Sequence, residues 1–137
     1  MAKKTEVYVD TGAFIAFLDK SDSYHRLFAQ LFSDPPLLLT TTLVITEGHA
    51  WFLKRYDPLR ALQFLNFLKD LPRLKIHSIG KEEVERGTHV LRRYSDQTLT
   101  LVDAVGLQLM EQLKVKICWG TDRHLKLGGK RLVIEMM

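Results

Sequence analysis

Short apolar runs of strand character alternate with longer helical segments along the whole chain, and no tight hairpin signal joins one run to the next. Antiparallel neighbours can be linked by two residues, whereas parallel neighbours need a crossover of a dozen or more, usually a helix. The alternation therefore predicts an α/β fold with a mainly parallel central sheet covered by helices on both faces. Strands are expected over residues 6–9, 37–40, 74–79 and 116–119, with a candidate final strand over 131–134. Helices are expected over 13–18, 21–32, 43–56, 58–71, from 81 onward and over 99–113. Ser21 or Asp22 can cap the second helix. Asp57 caps the fourth with Pro58 in its first turn, and Lys81-Glu82-Glu83 places acids where the helix dipole favours them.

A chain of 137 residues that is 46% apolar fits a single domain over 1–137 with a sizeable core. The lone Cys118 cannot form an internal disulfide and no basic leader opens the chain, so a reducing cytoplasm is the expected compartment. The apolar run over 14–18 falls far short of the roughly 20 residues a bilayer-spanning helix needs, so no membrane association is expected. A net charge of +4 suits a polyanionic partner, although ordinary soluble domains carry as much. Lys54, Arg55, Arg60, Arg92, Arg93, Arg123, Lys126, Lys130 and Arg131 stand at predicted element ends, where they would border a groove.

Four acids lie beside apolar runs: Asp10 in VYVDTGAF, Glu47 in LVITEGHAW, Asp103 in LTLVDAVGL and Asp122 in ICWGTDRHL. Open parallel sheets bind ligands at the carboxyl ends of their strands. Asp10 and Asp122 each follow a predicted strand and emerge at that edge. Asp103 opens the helix that runs back before the 116–119 strand, so it begins at the same edge. Glu47 lies one turn into the helix after the second strand, with Leu43 and Trp51 at i−4 and i+4 on its face. Four carboxylates gathered there repel one another unless a hard divalent cation holds them, and such a site points to phosphodiester chemistry.

Each acid also has a plainer explanation. Asp10 and Asp122 can cap the segments that follow them, Thr100-x-x-Asp103 matches a capping box, and Glu47 can pair with a base such as Arg123. His25, His49, His77, His89 and His124 show no spacing of an acid–base pair or a zinc site, and His124 is of interest only because it adjoins Asp122. VDTGAFIAF lacks the Gly pattern of a dinucleotide site. Gly12 stands where an aspartyl-nucleophile phosphatase needs its second Asp, and Thr121-Asp122 where a phospho-receiver usually has Lys.

Together, VDTGAF, TEGHAW, YSDQTLTLVDA and GTDRHL resemble the PIN-domain ribonucleases, particularly the VapC-type toxins of toxin–antitoxin pairs, over nearly the whole chain. The resemblance implies a PIN-like three-layer α/β/α sandwich and a Mg²⁺- or Mn²⁺-dependent endoribonuclease leaving 5′-phosphate and 3′-hydroxyl ends. It implies Asp10, Asp103 and Asp122 as metal ligands, with Glu47 either a ligand or the group that positions the attacking water; one or two ions remain open. Thr11 and Thr121 would orient these acids or the substrate phosphate, Arg123 and His124 would position substrate, and Asp96 would be a peripheral acid. Leu125 and Val102 depart from the family pattern without removing a carboxylate. The partners implied are an RNA substrate, a second copy in a homodimer and a cognate antitoxin. The apolar stretch from Trp51 through Leu68 is either core or the surface for one of the protein partners. The competing reading is a non-catalytic RNA- or protein-binding module on the same fold.

Overall fold

The computed structural model describes residues 5–137, and the first four residues of the domain expected over 1–137 lie outside it. The elements run β1 (Glu6–Val9), α1 (Thr11–Leu18), α2 (His25–Ser33), β2 (Leu37–Thr41), α3 (Thr42–Arg55), α4 (Pro58–Asp70), β3 (Leu74–His77), α5 (Lys81–Arg93), α6 (Leu101–Leu113), β4 (Ile117–Trp119) and β5 (Arg131–Leu132). The five strands form one sheet in the order β3-β2-β1-β4-β5, and every neighbouring pair is parallel. The chain moves outward from β1 to β2 and β3, then returns to lay β4 on the other side of β1. The crevice between β1 and β4 is therefore the topological switch point, where open α/β sheets carry their ligands.

Successive strand side chains point to opposite faces, which separates the helices into two layers. On one face Trp119 of β4 packs on Phe28 and Phe32 of α2, and Phe14 of α1 joins Phe32, Phe64 and Phe67. On the other, Tyr8 of β1 lies against α6, whose Gly106 leaves room for it: a Cβ there would come within 2.7 Å of the Tyr8 hydroxyl oxygen. The result is the expected three-layer α/β/α sandwich, with the sheet parallel throughout. Among the described residues no helix is long and apolar enough to cross a membrane.

Local chemistry explains the boundaries. Asp57 accepts from the Arg60 N–H and Pro58 opens α4, as its sequence predicts. Helix α2 begins at His25, later than its candidate caps suggest. Asp19 takes the Ser21 N–H and hydroxyl, and Asp22 accepts from the Tyr24 N–H two residues on, so both are used in turns ahead of the helix. Strand β3 stops at His77 and β5 at Leu132, where a 3₁₀ turn over Val133–Glu135 takes over.

Helices α3 and α4 meet where Gly48 faces the Phe64 ring, and a Cβ on Gly48 would fall 2.4 Å from Phe64 Cζ. Phe64 cannot swing clear, being buried between Phe14 and Phe52. Gly48→Ala gains about 1 kcal/mol of helix propensity but overpacks this contact, a cost of about 1–3 kcal/mol. Urea unfolding is expected to show net destabilisation, and a stabilised Gly48→Ala variant would mean that the two helices are free to separate.

Candidate active site

Asp10 leaves β1 at the switch point, where its backbone N–H donates to Trp119 O of β4 at 2.9 Å. Two glycines permit this approach. A Cβ on Gly12 would meet Thr121 Oγ1 at 2.6 Å, and one on Gly120 would meet Asp10 Cβ at 3.2 Å. The first turn of α1 and the exit turn of β4 thus pack directly together. Asp103 arrives from the first turn of α6, where the Thr100 hydroxyl accepts from the Asp103 N–H. Glu47 arrives from α3, whose N-cap is Thr41.

A cleft of about 230 Å³ opens at this edge, lined by Asp10, Thr11, Glu47, Thr100, Asp103, Thr121 and Asp122, with Gly12, Ile15 and Trp51. All four acids and both threonines singled out from sequence line it. A hollow of about 690 Å³ at the opposite edge is larger, but among the described residues Glu6 is the one acid in its lining. Volume alone does not identify the site; the convergence of carboxylates does.

The capping alternatives divide. Asp122 does cap the following 3₁₀ turn, accepting from the His124 N–H at 3.0 Å, while Asp10 occupies an N-cap position without making a side-chain cap bond. Asp10 is 5% exposed, and among the described residues its Oδ1 is buried without a hydrogen-bond partner. Burial, then the charges of Asp103, Glu47 and Asp122, push the Asp10 carboxyl from 3.8 up to about 8. Burial and the charges of Asp122 and Glu47 also raise Asp103, against the opposing hydrogen bonds of Thr100. Glu47 accepts from the Thr11 hydroxyl; among the described residues it has no ion pair with Arg123, which is exposed.

Asp103, Asp122 and His124 each offer a ligand atom, all within 4.8 Å of one another, and His124 Nδ1 lies 3.0 Å from Asp122 Oδ1. Asp10 and Glu47 line the same cleft outside that tight group. The donor set is rich in carboxylate oxygen, and a buried carboxylate oxygen is left unpartnered beside it, which fits a hard divalent cation. His124, expected to position substrate, stands among the possible metal donors; its adjacency to Asp122 is the signal for this. Trp51 and Ile15 were not foreseen in the cleft, although Trp51 follows Glu47 at i+4. Asp96 is exposed in the turn after α5 and does not line the cleft.

Part of the basic border is absent. Lys130 is buried, with Nζ 2.8 Å from Glu111 Oε2, and it and Arg131 precede or open β5 at the amino edge, away from the acids. Lys126 pairs with Glu135 at 3.0 Å. Lys54 and Arg55 remain exposed in the last turn of α3.

The sequence profile of the PIN domain matches residues 7–127. Among curated proteins none matches the chain. Solved structures do share its fold. VapC20 of Mycobacterium tuberculosis, a sarcin–ricin-loop-cleaving toxin, is 18% identical with a TM-score of 0.82, over 90% of this chain and 95% of its own. A toxin–antitoxin complex from Klebsiella pneumoniae is 20% identical with a TM-score of 0.60, over 93% of this chain and 95% of its own. VapBC2 from Rickettsia felis, solved with a promoter DNA fragment, is 11% identical with a TM-score of 0.67, over 93% of this chain and 97% of its own.

A carboxyl raised from 3.8 to about 8 binds its proton more tightly in the folded than in the unfolded chain. Its contribution therefore lowers stability as pH rises between those values. In metal-free protein Asp10→Asn is expected to melt higher than the parent at pH 8, with the difference shrinking towards pH 5. A difference independent of pH would show that burial and the neighbouring acids do not raise the Asp10 carboxyl.

Proposed function

The chain belongs to the PIN-domain family, and on that premise we propose that it is a metal-dependent endoribonuclease, the toxin of a toxin–antitoxin pair. The unpartnered Asp10 carboxylate oxygen, buried among three further acids at the sheet's switch point, carries this reading. Asp10, Asp103, Asp122 and Glu47 hold Mg²⁺ or Mn²⁺, and His124 adjoins them. The ion, when bound, supplies the positive charge that polarises the phosphodiester and activates water for attack.

The chain's own residues do the positioning. Thr11 donates to Glu47 and fixes its carboxylate, Thr100 holds Asp103, and the His124 N–H holds Asp122. Thr121, packed on Gly12, presents its hydroxyl at the cleft, and exposed Arg123 is available to a substrate phosphate. Water attack in line with the departing 3′ oxygen leaves 5′-phosphate and 3′-hydroxyl ends. Family membership and the VapC20 relative support RNA as substrate.

Solved relatives that are complexes support an antitoxin partner. This chain also exposes Leu53, Leu59 and Leu62 on the α3–α4 hairpin, with Leu59 64% exposed, an apolar surface suited to the antitoxin or to a second copy in a homodimer. Its place of action is the cytoplasm.

Even outer partners of metal ligands are worth about 10- to 100-fold in activity, so Asp10→Asn and Asp103→Asn are expected to cost at least that in RNA cleavage. Mg²⁺ is expected to raise the melting temperature of the parent and not of these variants, because it binds only the assembled site. Cleavage that survives excess chelator would rule out the metal mechanism, and a folded parent that cuts no RNA with Mn²⁺ would leave the binding module as the better reading.

A further inference from the structure

The cleft has two apolar residues, Ile15 of α1 and Trp51 of α3, in a lining otherwise made of carboxylates, hydroxyls and one glycine. The protein's two tryptophans differ sharply. Trp119 is 3% exposed in the core, whereas Trp51 is half-buried and lines the acidic cleft. Its indole is braced edge-on by Phe52 at 4.9 Å and by Tyr56 at 6.2 Å between ring centroids. The ring packs against the core on one side and lines the carboxylate cleft on the other, so part of it stays open to a ligand there.

Helix α3 arranges three chemistries in sequence. Glu47, Trp51 and Arg55 recur every four residues, so they climb one side of the helix in steps of roughly 6 Å. An acid stands at the cleft, an aromatic one turn on, and the exposed Arg55 one turn further, outside the cleft lining, with its guanidinium 5.6 Å from the Tyr56 ring centroid and its charge felt by Asp19. That order matches a nucleotide strand, with a phosphodiester at the acids, its base on a π-face and a neighbouring phosphate near a cation.

We propose that Trp51 is a positioning residue that stacks one base of a single-stranded RNA next to the scissile phosphate, with Ile15 closing the apolar side of the slot. This deepens the nuclease reading and rests on it. Stacking accepts any base with an exposed π-face, so Trp51 contributes grip and register and leaves sequence choice to other contacts. It requires an unpaired base, which favours loops and single strands over duplex.

The test is a cycle between protein and substrate. Parent, Trp51→Phe and Trp51→Leu are assayed on one RNA and on copies carrying a single abasic site at successive positions around the cut. For the parent, one abasic position is expected to lower kcat/KM roughly 10- to 100-fold. Trp51→Phe is expected to retain most of that penalty, and Trp51→Leu, which keeps apolar bulk, to abolish it. An equal penalty in parent and Trp51→Leu overturns the stacking role while leaving the nuclease reading intact. If the parent cuts no RNA, the nuclease reading has failed, and fluorescence decides the inference separately. With Trp119 buried, quenching of parent emission by the intact single strand and not by the abasic one supports stacking. Absence of quenching by the intact strand, or equal quenching by the intact and abasic strands, overturns it.

Discussion

Burial of acids crowded together at the carboxyl edge of the sheet is the constraint around which the rest of the molecule is arranged. Two helix N-termini face it: Asp10 occupies the N-cap position of α1 and Asp103 the first turn of α6. Helix dipoles favour anions there by about 0.3–1 kcal/mol each. That is well short of the several kcal/mol implied by a carboxyl displaced from 3.8 to about 8. Burial and mutual charge therefore win, and the backbone alone does not neutralise the site. Without an ion the Asp10 carboxyl relieves this by holding its proton to about pH 8; the proposed divalent cation would relieve it with the carboxylates ionised.

Holding the acids close depends on backbone approach more than on side-chain bonds. The parallel order sends β1 and β4 out side by side, but Asp10 and the Thr121–Asp122 turn meet only because Gly12 and Gly120 carry no Cβ. Behind them, Gly106 allows Tyr8 to seat α6 against the sheet, which brings Asp103 to the edge. The aromatic cluster of Phe14, Phe28, Phe32, Phe64 and Phe67 fills the opposite layer and fixes α1 and α4. The folded core thus stabilises a local charge arrangement that is unfavourable in isolation.

Much of this was legible in the sequence because the relevant signals are local or topological. Strand–helix alternation determines parallel pairing, and residues that follow a strand in a parallel sheet share an edge, so Asp10, Asp122 and the α6 acid could be placed together. What escaped depended on which of several available partners, near or distant, each polar group takes in the folded chain. Nothing near Lys130 in the sequence reveals that Glu111 on α6 takes its ammonium, nor that Asp19 claims Ser21 before the start of α2. Trp51 was placed on the Glu47 face by its spacing, yet whether that face is core or cleft depends on how α1 and α3 lie relative to each other. His124 illustrates the same limit: its backbone and ring both address Asp122 only once the 3₁₀ turn forms.

Whether these carboxylates share an ion decides between a metal-dependent nuclease and a module that only binds. Crystals of the protein soaked in Mn²⁺ and measured for anomalous scattering address this directly. A shared ion gives a peak in the cleft, coordinated by oxygens drawn from Asp10, Asp103, Asp122 and Glu47. No peak in the cleft at saturating Mn²⁺, with the four carboxylates turned apart, would contradict the metal-dependent reading.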